Sequence, residues 1–165
     1  MMRGAAPSRR ARPSRTLKQR AVALLARREY SRAELSKRLS PGGESRSEID
    51  AVLDELSALG LLSDARYAAA LVHQKTGDYS KRAIAHALRG KGVDAVETTE
   101  ALAVLDGEDE LATAQALWRR RFGQPPRDER DKARQLRFLL SRGYSHSTAF
   151  KVLKAAGAPS DDDAS

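Results

Sequence analysis

The side chains that could do chemistry in this 165-residue chain are few and far apart. Three histidines, His73, His86 and His146, stand without a carboxylate or nucleophile at a spacing that would build a proton relay. There is no cysteine, which removes disulfides and thiolate metal sites. Gly90-Lys91-Gly92 is too short to cradle a phosphate and falls where a helix should end. Asp161-Asp162-Asp163 could hold a cation only if ordered, and it lies in a terminal stretch expected to be loose. No catalytic residue, metal site or cofactor is expected, and the chain reads as a protein without enzymatic activity.

What remains is cationic. The net charge is +8, unevenly placed: residues 1–20 contribute +7 with no acid, and the last five contribute −3. Within the body, Lys81, Arg82, Arg89 and Lys91 gather around one predicted helix. Arg119, Arg120 and Arg121 close another, and Arg130, Lys132, Arg134, Arg137 and Arg142 line a third. A basic residue in the last turn of a helix is favoured by the helix dipole, so part of this pattern is structural. Repeated over successive helices it lays down a basic face suited to an extended partner.

The elements that carry these residues follow from an internal repeat. Glu29-Tyr30-Ser31-Arg32 returns 49 residues later as Asp78-Tyr79-Ser80-Lys81, and Leu35, Leu39 and Leu53 match Ile84, Leu88 and Leu102 in the same register. Ser31 is a good N-cap, with Glu34 placed to close a capping box and Tyr30 placed to staple onto Leu35. In the second copy Ser80 caps and Tyr79 faces Ile84, while Ala83 replaces the box carboxylate. A third copy follows at an offset of 51, where Leu139, Gly143 and Leu153 match Leu88, Gly92 and Leu102. A period of this size marks stacked helical units.

Capping residues and glycines then place nine helices. They run over about 16–28, 31–40 and 45–59; then 63–77, 80–89 and 94–105, with Leu62 stapling onto Tyr67; then 108–122, 128–141 and 145–156. Only 5% of residues are aromatic, and Ala, Leu, Arg and Glu dominate, which favours helix over strand. The expected fold is all-α, an elongated array of three tandem three-helix units over residues 16–62, 63–106 and 107–157. A disordered basic arm (1–15) and a disordered acidic tail (158–165) flank it. No apolar run approaches the roughly 20 residues that span a bilayer, and the N-terminus lacks a secretory h-region. A cytoplasmic monomer is expected.

The first unit also admits a winged helix-turn-helix reading, with the helix around Ile49 to Leu56 entering a major groove. A wing needs a hairpin after Gly60-Leu61-Leu62, where Ser63-Asp64-Ala65-Arg66 is a capped helix start. The supposed recognition helix carries Glu48, Asp50, Asp54 and Glu55, which phosphates repel.

Taken together, Arg28-Glu29-Tyr30-Ser31 with Glu34-Leu35, Leu53 through Leu56 to Gly60-Leu61-Leu62, and Asp64 with Tyr67-Ala68 resemble the RecX recombination regulators. Ile84, Leu88, Lys91-Gly92 and Arg142-Gly143-Tyr144 extend the likeness over about Leu17 to Gly157. Ser63 departs from it, standing where the family often has a second aspartate. The resemblance implies three tandem three-helix units and a partner, the RecA filament on single-stranded DNA. It further implies lodging in the filament groove and restraint of ATP hydrolysis, strand exchange and co-protease activity. On that reading the expected contacts are Lys81, Arg82, Arg89, Lys91, Arg119, Arg120, Arg134, Arg137 and Arg142, with direct DNA contact a further expectation. The alternative is a plain nucleic-acid-binding protein that uses the basic arm and a helix-turn-helix-like first unit.

Overall fold

The computed structural model describes residues 15–157, so the acidic tail and all but the last residue of the basic arm lie outside the described residues. The described chain runs through α1 (Leu17–Leu25), α2 (Arg32–Leu39), α3 (Arg46–Ala58), α4 (Asp64–Lys75), α5 (Lys81–Gly90), α6 (Ala95–Leu102), α7 (Glu110–Arg121), α8 (Glu129–Ser141) and α9 (His146–Ala156). Single 3-10 turns follow α2 (Ser40–Gly42) and α6 (Ala103–Leu105). No strand occurs among the described residues. Helix α4 occupies the stretch where a wing would have to form, so the winged reading of the first unit fails.

Every helix begins on a side-chain cap: Thr16, Ser31, Ser45, Ser63, Ser80, Asp94, Asp109, Asp128 and Ser145 each accept a bond from a backbone N–H of the first turn. Full capping boxes close at Thr16 with Gln19 and at Ser45 with Glu48. The expected box at α2 does not close. Ser31 accepts from the Glu34 amide at 3.1 Å, but the Glu34 carboxylate turns to Arg28, 3.0 Å from its guanidinium. Helix α1 itself stops at Leu25, short of Arg28, with Ala26 as its C-cap. In the loop that follows, the Arg28 guanidinium lies 3.6 Å from the Tyr30 ring centroid and donates to the Glu29 carbonyl.

The apolar faces collect into three separate cores. Ala21, Leu35, Leu39, Leu53 and Leu56 centre the first; Ala68, Val72, Ile84, Leu88 and Leu102 the second; Ala114, Trp118, Leu139, Ala149 and Val152 the third. Helix packing follows the same division: α1 to α3, α4 to α6 and α7 to α9 each pack among themselves. Leu62 belongs to the first core and Tyr67 to the second, so the staple expected between them is replaced by a leucine folded back onto Leu53 and Leu56. In the third unit a buried polar pair stiffens the core, Trp118 Nε1 donating to Gln135 Oε1 at 2.8 Å.

The units are joined at their middle helices. Ser31 Oγ donates to the Lys91 carbonyl at the end of α5 (2.6 Å), and Ser80 Oγ donates to the Gly143 carbonyl beyond α8 (2.8 Å). Each carbonyl end thus meets the amide end of the middle helix in the preceding unit, a head-to-tail arrangement that helix dipoles favour. Gly92 and Gly143 make this approach close. Both have left-handed φ (77° and 91°), and a Cβ on either would collide with Ala33 or Ala83 of the unit before. Among the described residues the polar contacts between units join the first to the second and the second to the third.

Candidate partner-binding face

The nine basic residues singled out from the sequence divide into those that build the array and those left free to meet something else. Lys81 pairs with Asp106 inside the second unit. Arg82 crosses to the Gly143 carbonyl at 3.0 Å, and Arg120 crosses the same joint to the Gly77 carbonyl (2.7 Å) and the Asp78 carboxylate (3.2 Å). Lys91 crosses the first joint toward Glu34 at 3.7 Å. Arg134 holds Asp131 at 2.8 Å within α8. Arg89, Arg119 and Arg137 are exposed and make no ion pair among the described residues.

Arg142 opens a feature that sequence order conceals. Its guanidinium lies between the Tyr79 ring of the second unit (4.8 Å) and the Phe138 ring of the third (5.0 Å). Lys75 covers Tyr79 at 4.3 Å, Arg121 lies 5.6 Å from Phe138 and 5.7 Å from Phe122, and Arg134 lies 5.3 Å from Phe122. Cation and ring therefore alternate without a gap from Lys75 to Arg134, across the second joint. Phe122 and Phe138 meet edge to face at 5.3 Å, which fixes the ring positions. Half-buried rings with cations on their faces make a continuous charged and aromatic strip, built of residue types that are enriched at protein interfaces. Spacings such as Arg134–Phe138–Arg142 along one helix were a local hint of it; the link from Tyr79 to Arg142 had none.

Electrostatics differ between the joints. At the first, burial pushes the Glu34 carboxyl up, but hydrogen bonds and charge from Arg28, with help from Lys91 and the Ser31 amide, outweigh it and hold the group below the ordinary carboxylate range. Arg66 reaches Glu29 at 2.9 Å, and the Arg32 amide donates to Asp64 at 2.7 Å. Burial pushes the Tyr67 phenol up, with Glu34 adding to the effect. At the second joint burial likewise raises the Tyr144 phenol. Hydrogen bonds from Arg134 and the Arg127 amide hold the Asp131 carboxyl low. These shifts stabilise ionised or neutral forms already present near neutrality, and none builds a general acid or base.

The outer face of α3 has the opposite character. Asp54 pairs with Arg32 at 2.7 Å, Glu55 with Lys18 at 2.6 Å, and Glu48 is spent on its capping box. Its unpaired charge is small, but a helix bearing these acids offers phosphates little attraction.

Fold and surface define a class: a tandem array of three-helix units that carries a cationic, ring-studded face across its second joint. Three family models match in succession, described as the first (residues 18–56), second (63–102) and third (108–153) three-helix domains of RecX. The chain belongs to the RecX family. It is 48% identical over 152 residues to the regulatory protein RecX of Leptothrix cholodnii, spanning 92% of this chain and 96% of that one. With the regulatory protein RecX of Chromobacterium violaceum the identity is 44% over 149 residues, covering 90% and 94%. The crystal structure of RecX from Lactobacillus salivarius superposes with a TM-score of 0.65 at 20% identity, over 85% of this chain and 94% of that one, which shows the shared fold. Among the described residues no helix is long and apolar enough to cross a membrane.

Proposed function

We propose that this chain is a non-enzymatic regulator that binds the RecA filament on single-stranded DNA and damps its ATP turnover, strand exchange and co-protease activity. The observation that carries this reading is the end-to-end match to relatives named as regulatory RecX proteins, together with a working surface made of joints and a basic face. The cation–ring strip and the free Arg89, Arg119 and Arg137 are the contacts we assign to the filament. Arg82, Lys91, Arg120 and Arg142 contribute by holding neighbouring units, and hence that face, in register, while Lys81 and Arg134 brace their own units. An array spanning adjacent protomers needs no chemistry of its own to oppose their movement during turnover. The acidic face of α3 weighs against the alternative of a groove-reading DNA binder. The test is RecA's DNA-dependent ATPase with and without the purified protein. Stoichiometric amounts should depress the rate; an unchanged rate refutes the proposal.

A further inference from the structure

The two joints differ in one more respect. In the first unit Leu53 and Leu56 are completely covered, and Leu62 lies in the core with them. Their counterparts 49 residues on, Leu102 and Leu105, keep 6% and 7% of their surface exposed. The cause is the linker. After the left-handed Gly60 come Leu61 and Leu62 before the cap Ser63; after the left-handed Gly107 comes Glu108 alone before the cap Asp109. A carboxylate does not fold over an apolar floor, because losing its hydration costs more than the contact returns. Glu108 stays exposed, and the leucine that seals the first unit has no equivalent in the second.

What is left is a cleft of about 440 Å³ between α5, the end of α6 and the start of α7, floored by Ala85, Leu102 and Leu105 and bounded by Tyr144. Its rim is charged. Lys81 is occupied by Asp106 and Arg82 by the Gly143 carbonyl. Glu108 and Glu110 form no ion pair among the described residues, although Thr148 donates to Glu110 at 3.1 Å.

We infer that this cleft seats an apolar side chain, leucine or aromatic, from a protein partner, with a lysine or arginine beside it lying against Glu108 and Glu110. The seat replaces from outside the cover that Leu62 gives the first unit from within. Two rim carboxylates without an ion pair among the described residues call for a basic neighbour and weigh against nucleic acid as the occupant. Taking the partner to be a RecA protomer rests on the function proposed above; the seat itself does not.

Glu108→Leu restores the missing leucine and Ala85→Phe fills the floor, so both should close the cleft without touching the cation–ring strip. Glu108→Leu should raise Tm if its leucine packs as Leu62 does. In co-sedimentation with RecA–single-stranded DNA filaments, each should bind about tenfold more weakly than the wild type, the loss of one buried apolar anchor. Folded variants that sediment as the wild type does overturn the inference. If the wild type itself fails to sediment, the RecA reading falls and the dipeptide N-acetyl-Leu-Arg-amide decides for the cleft. Shifts of the Leu102 and Leu105 methyl resonances, absent in Glu108→Leu and weaker with N-acetyl-Leu-Glu-amide, would sustain it; unmoved methyls would overturn it.

Discussion

Ser80 does two things with one hydroxyl. It accepts from the Ala83 amide, capping α5, and donates to the Gly143 carbonyl of the next unit, with 3% of its surface exposed. Ser31 does the same for α2 and Lys91 and is completely buried. Removing such a hydroxyl costs the cap, about 1 kcal/mol, and a buried inter-unit bond of about the same size. Ser80→Ala should therefore lose about 2 kcal/mol in chemical denaturation, against about 1 for Ser45→Ala, whose exposed hydroxyl serves α3 alone. Equal losses would mean that the serine–carbonyl bond across the joint contributes nothing. Glu34 carries a pH dependence of known sign. Because its folded pKa is depressed, its stabilisation is fully present above the unfolded value, near 4.3, and is lost as pH falls through the lower folded value. Arg28 is half exposed, so Glu34→Gln should cost only about 1 kcal/mol at neutral pH. That gap should shrink once pH falls below the unfolded value and close as pH passes through the depressed folded one. Melting curves across that range check it, and a gap that persists to lower pH would point away from charge.

At the scale of elements, what could be read in the sequence was what is local. Asp128 and Ser145 fixed the starts of α8 and α9 because a cap and the amides it satisfies lie within three residues. The register of Leu53 with Leu102 exposed the repeat for the same reason: each copy solves the same burial problem with the same spacing. Where a distant group competes, local logic fails. Glu34 abandons its capping box for Arg28 and Lys91, and Leu62 leaves Tyr67 for the core behind it. The cation–ring strip was hidden because Tyr79 and Arg142 meet only once two units stack. The repeated glycines carry the clearest element-level consequence. Gly143 combines left-handed φ with an approach to Ala83 that leaves no room for a methyl, whereas a Cβ at left-handed Gly60 meets open space. Gly60→Ala should cost about 1 kcal/mol, the conformational term alone. Gly143→Ala should cost about 3 kcal/mol, since the second joint must also part. Comparable losses for the two would refute the close-packed joint.

For the whole molecule, stiffness is set by what each joint is made of. The first shares the buried serine–carbonyl bond, Ser31 to Lys91, and otherwise relies on charge: Glu34 with Lys91, Glu29 with Arg66, and Asp64 against the Arg32 amide. The second sets Arg142 between two rings and adds a pair of serine bonds, Oγ to Gly143 and the Ser80 amide to the Arg142 carbonyl at 2.9 Å. Its ion pair among the described residues, Arg120 with Asp78, is half exposed and backed by the Gly77 carbonyl. Screening acts on partly exposed ion pairs, with a Debye length of about 3 Å at 1 M salt, and much less on ring stacking or buried hydroxyl bonds. Raising salt should therefore loosen the first joint more than the second, since more of its contacts are ion pairs. The cysteine-free chain allows a direct reading with spin labels introduced in pairs at exposed positions. Labels at Lys37 and Glu100 report the first joint, and labels at Glu100 and Lys151 the second. One molar salt should broaden the first distance distribution more than the second. Equal broadening would mean that both joints are held by charge, and the cation–ring strip could not then be the rigid face that a filament partner requires.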